Sequence, residues 1–125
     1  MGMMKVSGLM ALIASGMAGA GSQETLPLLT FFSAGIVNVF VPSGGGQWAV
    51  QGPIALSAGA EAGVAPGVMV MSVAYGDQLT NMLQPFWALP LLAITRVRAR
   101  ELVAYTAVIM VAAGAWLAAG LLFFA

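Results

Sequence analysis

The sequence predicts an all-α membrane protein with about three transmembrane segments, one of them broken, and a glycine-tipped re-entrant helical hairpin. Of its 125 residues, 61% are hydrophobic and only 6% are charged, whereas about 25% of residues are charged in soluble domains. A charge-free run from Thr25 to Ala60 contains three consecutive glycines. A later apolar stretch carries a cluster of polar residues around a single acid, Asp77.

The composition also limits the chemistry of the chain. Four basic and four acidic residues leave no net charge, so the predicted partner is the lipid bilayer and no nucleic acid is expected. The chain has no Cys and no His, which excludes disulfides, a thiol nucleophile, a histidine base and the usual zinc ligands. We therefore predict neither an enzyme nor a metal site.

The first predicted element is an apolar span, Met1–Ala20, with Lys5 near its start. Its apolar run is longer than the 7–15 residues of a typical signal-peptide core, although a cleaved signal peptide is the alternative. Because the apolar stretch begins so close to the first residue, we expect a part of the protein upstream of it to be missing.

The next predicted element is the hairpin, with arms Leu26–Val41 and Trp48–Ala60. Pro42 discourages a continuous helix, and the glycines after it lack a Cβ, so the backbone can turn sharply there. We expect Gly45 to have a positive φ, so that Gly45→Val would block function. The first arm would be about 24 Å long, short of the roughly 30 Å hydrocarbon core. Two complete spans joined by a loop are the alternative.

The residues from Gly67 to Ile94 would make a helix of about 42 Å, too long for one straight span. We predict two half-helices, Gly67–Tyr75 and Met82–Ile94, joined by unwound backbone at Gly76–Asn81. Asp77 is the only acid within an apolar segment. Such a residue is costly in a membrane and indicates function, unless the half-helix is short and Asp77 reaches a surface.

The basic loop at Arg96, Arg98 and Arg100 predicts the orientation of the chain. Cytoplasmic loops are enriched in Lys and Arg, so this loop is expected inside. The last span, Leu102–Phe124, then runs outward. The N-terminus is therefore predicted to be cytoplasmic and the C-terminus periplasmic, with the hairpin opening to the outside.

A hairpin tip and a broken helix together form the midplane site of many secondary transporters. The N–H groups at the start of the second arm can hold a carboxylate. No Lys or Arg lies in the predicted membrane core, so a co-transported sodium ion or proton would balance the anion; no other cofactor is expected. The predicted substrate-binding residues are Ser43, Gly44, Gly45, Gly46, Gln47, Trp48, Thr80 and Asn81. The residues predicted to couple a cation or proton are Asn38, Gly76 and Asp77.

Two long motifs carry a family resemblance: V-N-V-F-V-P-S-G-G-G-Q-W-A-V-Q-G-P (Val37–Pro53) and Y-G-D-Q-L-T-N-M-L-Q-P-F-W-A-L-P (Tyr75–Pro90). Together they resemble the bacterial short-chain fatty acid transporter family, within the ion-transporter superfamily. The resemblance covers nearly the whole chain. It implies secondary transport of small monocarboxylates, such as butyrate or acetoacetate, across the bacterial inner membrane.

The resemblance also implies that residues 1–125 form a single membrane domain, the C-terminal inverted-repeat portion of a longer carrier. Such a portion would need the missing N-terminal half or an oligomeric partner. The alternatives are a truncated carrier or structural membrane subunit that does not transport alone, and a cation–proton antiporter with no organic substrate.

Overall fold

The computed structural model describes residue 16 and residues 19–124, and this part of the chain is helical and contains no strand. Its helices are α1 (Leu26–Phe40), α2 (Gly44–Ala62), α3 (Pro66–Asn81), a 3-10 helix (Pro85–Ala88), α4 (Leu89–Thr95) and α5 (Ala99–Phe124). The all-α prediction is confirmed. The first predicted span, residues 1–20, falls almost entirely outside the described residues.

Helices α1 and α2 form the predicted hairpin. Pro27 lies in the first turn of α1, where its missing N–H costs no hydrogen bond. Ser43 has an extended backbone and caps α2, because its Oγ accepts a hydrogen bond from the Gly46 N–H at 3.3 Å. The amide of Gln23 donates to the Gly63 carbonyl at 3.1 Å. This bond ties the two outer ends of the hairpin together.

The expected sharp turn at the glycine triplet is wrong. Gly44, Gly45 and Gly46 form the first turn of α2, and the only glycine with positive φ among the described residues is Gly63, at 76°. Pro42 and the Ser43 cap reverse the chain without help from the glycines. The second arm therefore begins at Gly44 rather than at Trp48. The expectation that Gly45→Val would strain the backbone loses its basis.

The predicted unwinding at Gly76–Asn81 is also wrong, because α3 runs without interruption from Pro66 to Asn81. The break comes after Asn81, where Gln84 is extended (φ −105°, ψ 108°) ahead of Pro85. A proline disfavours helical geometry in the residue before it. The carbonyl of Asn81 at the helix end accepts hydrogen bonds from the Gln84 N–H at 3.0 Å and from the Trp87 indole at 3.2 Å.

Small residues let the three helices pack closely. A Cβ on Gly76 would lie 2.7 Å from the Cβ of Ala34 and 3.0 Å from the backbone nitrogen of Gly35, so α3 crosses α1 almost backbone to backbone. A Cβ on Gly59 would meet the side chain of Met69 in the same way, where α2 packs on α3. Small residues commonly allow such close approach in membrane bundles. The buried apolar cluster around these crossings is Leu26, Ala34, Ile54, Ala55, Ala58, Val64, Met69 and Val73.

Within the described residues, one helix is long and apolar enough to cross a membrane, over Ala99–Phe123. Very little of it is buried: Trp116 is 81% exposed and Phe123 is 82% exposed, as expected for side chains in contact with lipid. The 15 residues of α1 span about 22 Å, less than the roughly 30 Å hydrocarbon core. Re-entry of the hairpin stays a prediction.

The close crossing predicts that Gly76→Ala destabilises the chain. The added methyl group would overlap α1, and overpacking of this kind costs about 1–3 kcal/mol. Thermal denaturation of the purified chain in detergent measures the effect. The matched control is Gly45→Ala, because a Cβ on Gly45 meets nothing within 4 Å. Equal denaturation midpoints for the two variants would contradict the packing argument.

Candidate functional site

An open cavity of about 490 Å³ lies between the start of α2 and one face of α3. Its lining residues are Gly44, Gln47, Trp48, Val70, Val73, Ala74, Asp77, Gln78 and Asn81. Five of the predicted site residues therefore meet at one place, although they come from two separate motifs: Gly44, Gln47, Trp48, Asp77 and Asn81.

The carboxylate of Asp77 faces the start of α2. A Cβ on Gly44 would lie 3.4 Å from its Oδ2, and that oxygen also accepts a hydrogen bond from the Asn81 amide at 3.3 Å. The other oxygen, Oδ1, is buried and has no hydrogen-bond partner within the described part of the chain. The positive end of the α2 dipole favours a negative charge at this position. The hydrogen-bonding capacity of one Asp77 oxygen is thus unused within the described part of the chain.

The first turn of α2 retains hydrogen-bond donors. The Gln47 N–H donates to the Ser43 carbonyl at 2.7 Å, and the Gly46 N–H donates to the Ser43 side chain. The N–H groups of Gly44 and Gly45 have no acceptor among the described residues, as is usual at a helix N-terminus. Ser43, Gly45 and Gly46 are exposed at the tip and do not line the cavity.

The other predicted residues, Asn38, Gly76 and Thr80, lie in the interface between α1 and α3, outside the cavity lining. The amide nitrogen of buried Asn38 lies 2.8 Å from the Asp77 carbonyl oxygen, 2.9 Å from the Thr80 hydroxyl and 3.0 Å from Asn81 Oδ1. Its two hydrogens can serve two of these acceptors at a time. The Thr80 hydroxyl donates to the Gly35 carbonyl at 3.1 Å. In this arrangement the three residues hold the two helices together.

A chain of hydrogen bonds connects this interface to the cavity. Asn38 donates to Asn81, and Asn81 donates to Asp77. On the far side of the break, the Gln84 amide donates to the Asn38 carbonyl at 3.1 Å. The first arm of the hairpin and the segment after α3 thus both influence the orientation of the Asp77 carboxylate. The sequence offered no signal for the Gln84 contact.

A second polar network joins the two arms of the hairpin. Gln47 is only 1% exposed, and its amide donates to the Ala34 carbonyl at 2.9 Å and to Gln51 Oε1 at 3.0 Å. Gln51 donates in turn to the Ser33 hydroxyl at 3.0 Å. The i, i+4 spacing of the two glutamines could have predicted their contact. The Oε1 of Gln47 has no partner in the part of the chain described here.

A neighbouring cavity of about 660 Å³ lies on the other side of Asn81, lined by Pro42, Asn81, Gln84, Phe86 and Trp87. It contains neither Asp77 nor the first turn of α2. The indole of Trp87 and the amide of Gln84 are already hydrogen-bonded to protein carbonyls. Of these two cavities, only the first is lined by a carboxylate and by the start of α2.

An acid on a helix that breaks before a proline, facing a hairpin tip in an apolar helical chain, is the arrangement typical of secondary carriers. Comparison with known families agrees with this class. The family described as "Short chain fatty acid transporter" matches residues 1–124. The chain belongs to that family, and the predicted resemblance is confirmed.

Two curated relatives carry the same name, "Putative short-chain fatty acid transporter". The protein from Escherichia coli (strain K12) is 42% identical over 122 residues, which cover 98% of this chain and 28% of the relative. The protein from Haemophilus influenzae is 44% identical over 103 residues, 82% of this chain and 23% of the relative. The chain thus spans about a quarter of the length of each. No solved structure matches it.

The hydrogen-bond chain predicts that Asn38→Ala weakens the attachment of α1 to α3. Unpairing buried polar groups costs about 1–3 kcal/mol, so thermal denaturation in detergent should begin at a lower temperature. The matched control is Gln78→Ala, which removes a polar side chain that makes no hydrogen bond to the described residues. If both variants denature together with the wild type, Asn38 does not hold the interface.

Proposed function

We propose that this chain forms part of a secondary carrier for short-chain fatty acids, whose carboxylate binds in the cavity between the hairpin tip and α3. The observation that carries the proposal is the position of Asp77 beside the first turn of α2, with its Oδ1 buried and without a hydrogen-bond partner among the described residues. Membership of the family and the names of the two relatives support the substrate class. Butyrate and acetoacetate are of this class.

The substrate carboxylate would accept a hydrogen bond from the N–H group of Gly44, which lines the cavity. This donor has no acceptor in the described structure, and the helix dipole adds to its attraction for an anion. Gln47, which lines the same cavity, would set the position of the first turn through its bond to α1. The substrate would pass through unchanged, so no enzymatic step is proposed.

Charge balance supports coupling to a cation or proton. Among the described residues, Asp77 is the only charged one that lines the cavity, and the arginines lie exposed in the segment between α4 and the start of α5. Two carboxylates cannot both be ionised close together in a medium of low dielectric constant without a large energetic cost. Substrate binding would therefore require a proton on Asp77 or a sodium ion between the two groups. Carboxylate and amide oxygens suit such a hard cation, and neither Asp77 Oδ1 nor Gln47 Oε1 has a hydrogen-bond partner in the described part of the chain.

A complete carrier would need a second helical body opposite this cavity. The cavity is open, and Trp48 and Gln78 on its wall are exposed. Polar groups at membrane depth must face protein or water rather than lipid. The relatives are about four times longer than the matched region, so the rest of a longer protein or another copy of this chain would cover this side as the second repeat.

The proposal predicts that Asp77→Asn abolishes concentrative uptake of butyrate, because the neutral amide can neither release a proton nor neutralise a sodium ion. Labelled butyrate uptake into proteoliposomes containing the 125-residue chain measures this. Wild-type uptake should be saturable and should collapse when an ionophore removes the ion gradient. Glu61→Gln serves as the control, since it makes the same carboxylate-to-amide change at an exposed residue outside the cavity lining, and an unchanged denaturation midpoint shows that the Asp77→Asn variant is folded.

Other outcomes of this experiment favour the alternatives. No uptake by folded wild-type protein would mean that the chain is a partial carrier or a structural subunit. A sodium or proton flux independent of butyrate would indicate an antiporter. Uptake by Asp77→Asn equal to that of the wild type would remove Asp77 from the coupling step.

We further propose a bacterial inner-membrane location, with the N-terminus cytoplasmic and the C-terminus periplasmic. The chain has no natural Cys, so single cysteines can report the orientation. Glu61→Cys should react with an impermeant thiol reagent from the periplasm, and Val97→Cys only from the cytoplasm. Gly45→Cys tests re-entry, since its side chain has free space around it. Reaction of Gly45→Cys from the cytoplasm as fast as Val97→Cys would indicate two complete spans instead.

A further inference from the structure

The cavity beside Asp77 is polar at one end and apolar at the other. Asp77, Asn81 and the first turn of α2 form the polar end. Val70, Val73 and Ala74 lie one to two turns earlier on the same face of α3 and also line the cavity. Trp48 lies one turn further along α2. The lining of the cavity thus complements a small amphipathic molecule that is polar at one end and apolar at the other.

The directions of the two helices place these apolar groups opposite each other. The start of α2, at Gly44, lies beside Asp77 near the end of α3, while Gly59 near the end of α2 meets Met69 near the start of α3. The helices are therefore antiparallel. Trp48 consequently lies on the side of the cavity that leads from Asp77 toward Val70 and Ala74.

We propose that the alkyl tail of a short-chain monocarboxylate lies between Trp48 and the Val70–Ala74 face of α3, and that Ala74 determines the tail length accepted. This inference rests on the proposed function and adds the part of the cavity that selects among substrates. A tail anchored at the tip by its carboxylate would run away from Asp77 along this wall. Ala74 is the smallest side chain of the wall, so it leaves room for the tail next to the two valines.

The side chain of Trp48 is suited to contact with the alkyl tail. The indole of Trp48 lies against Gly52, where a Cβ would come within 2.7 Å of the ring. The missing side chain at Gly52 therefore allows the ring to rest on α2. Trp48 is 38% exposed, and its ring offers a flat apolar surface to a tail. Its position is set by the helix rather than by the ligand.

The test is the affinity of the purified wild-type chain for straight-chain acids, measured by competition with labelled butyrate. Each buried methylene contributes about 0.8 kcal/mol, which is about fourfold in affinity. Butyrate has two more methylenes than acetate, so it should bind about 16-fold more tightly. In Ala74→Leu the new side chain would occupy the space proposed for the alkyl tail. The ratio of the affinity for butyrate to the affinity for acetate should then fall toward about 1. Ala112→Leu, the same change on the exposed face of α5, should keep the wild-type ratio.

A second variant allows the proposal to be tested even if Ala74→Leu does not fold. Ala74→Ser adds only a hydroxyl, which makes the wall polar and should lower the ratio several-fold without loss of folded protein. Equal affinities for acetate and butyrate in the wild type would overturn the tail site and leave carboxylate binding intact. A ratio that survives both Ala74 variants but is lost in Phe86→Ala would place the tail in the neighbouring cavity and also overturn it. No binding of any monocarboxylate by folded wild-type protein would instead refute the proposed function.

Discussion

The close crossing of α1 and α3 is the constraint on which the rest of the structure depends. At Gly76 the two backbones approach so closely that no side chain fits between them. One turn further on, the amide nitrogen of buried Asn38 lies within hydrogen-bond distance of a carbonyl, a hydroxyl and an amide oxygen of α3 and can donate to two of them at a time. Inside a membrane no water is available to satisfy them, so these bonds hold the helices in one register. That register brings Asp77 to the tip of the hairpin.

The polar cluster of α3 belongs to two adjacent faces of one helix. Gly76 and Thr80 are four residues apart and face α1, while Asp77 and Asn81, also four apart, line the cavity. A rotation of about 100° per residue separates the two faces. One face supports the structure and the other presents the candidate ligands. Any change that rotates α3 to improve one face would misplace the other.

The sequence predicted the components better than their local geometry. The helical hairpin, the position of Asp77 opposite its tip and the family followed from the absence of charge, from a lone acid and from two motifs. The predicted turn at Gly44–Gly46 and unwinding from Gly76 failed because glycine permits unusual backbone without requiring it. At Gly76 the missing Cβ serves the packing against Ala34. At Gly44 it lets the Asp77 carboxylate approach. Only the contacts that a glycine makes with residues distant in sequence show which of these uses it has.

The same reasoning explains why Val70, Val73 and Ala74 could not be recognised as cavity residues from the sequence. Apolar residues on a membrane helix are suited equally to lipid, to a neighbouring helix and to the tail of a ligand. Val73 is buried in the core and still borders the cavity, so one side chain can serve two of these roles. What distinguishes this face is its continuation into Asp77 and Asn81 one turn later. An acid on a helix face is costly against lipid, and the change of this face from apolar to acidic is the observation on which the proposed site for an amphipathic ligand rests.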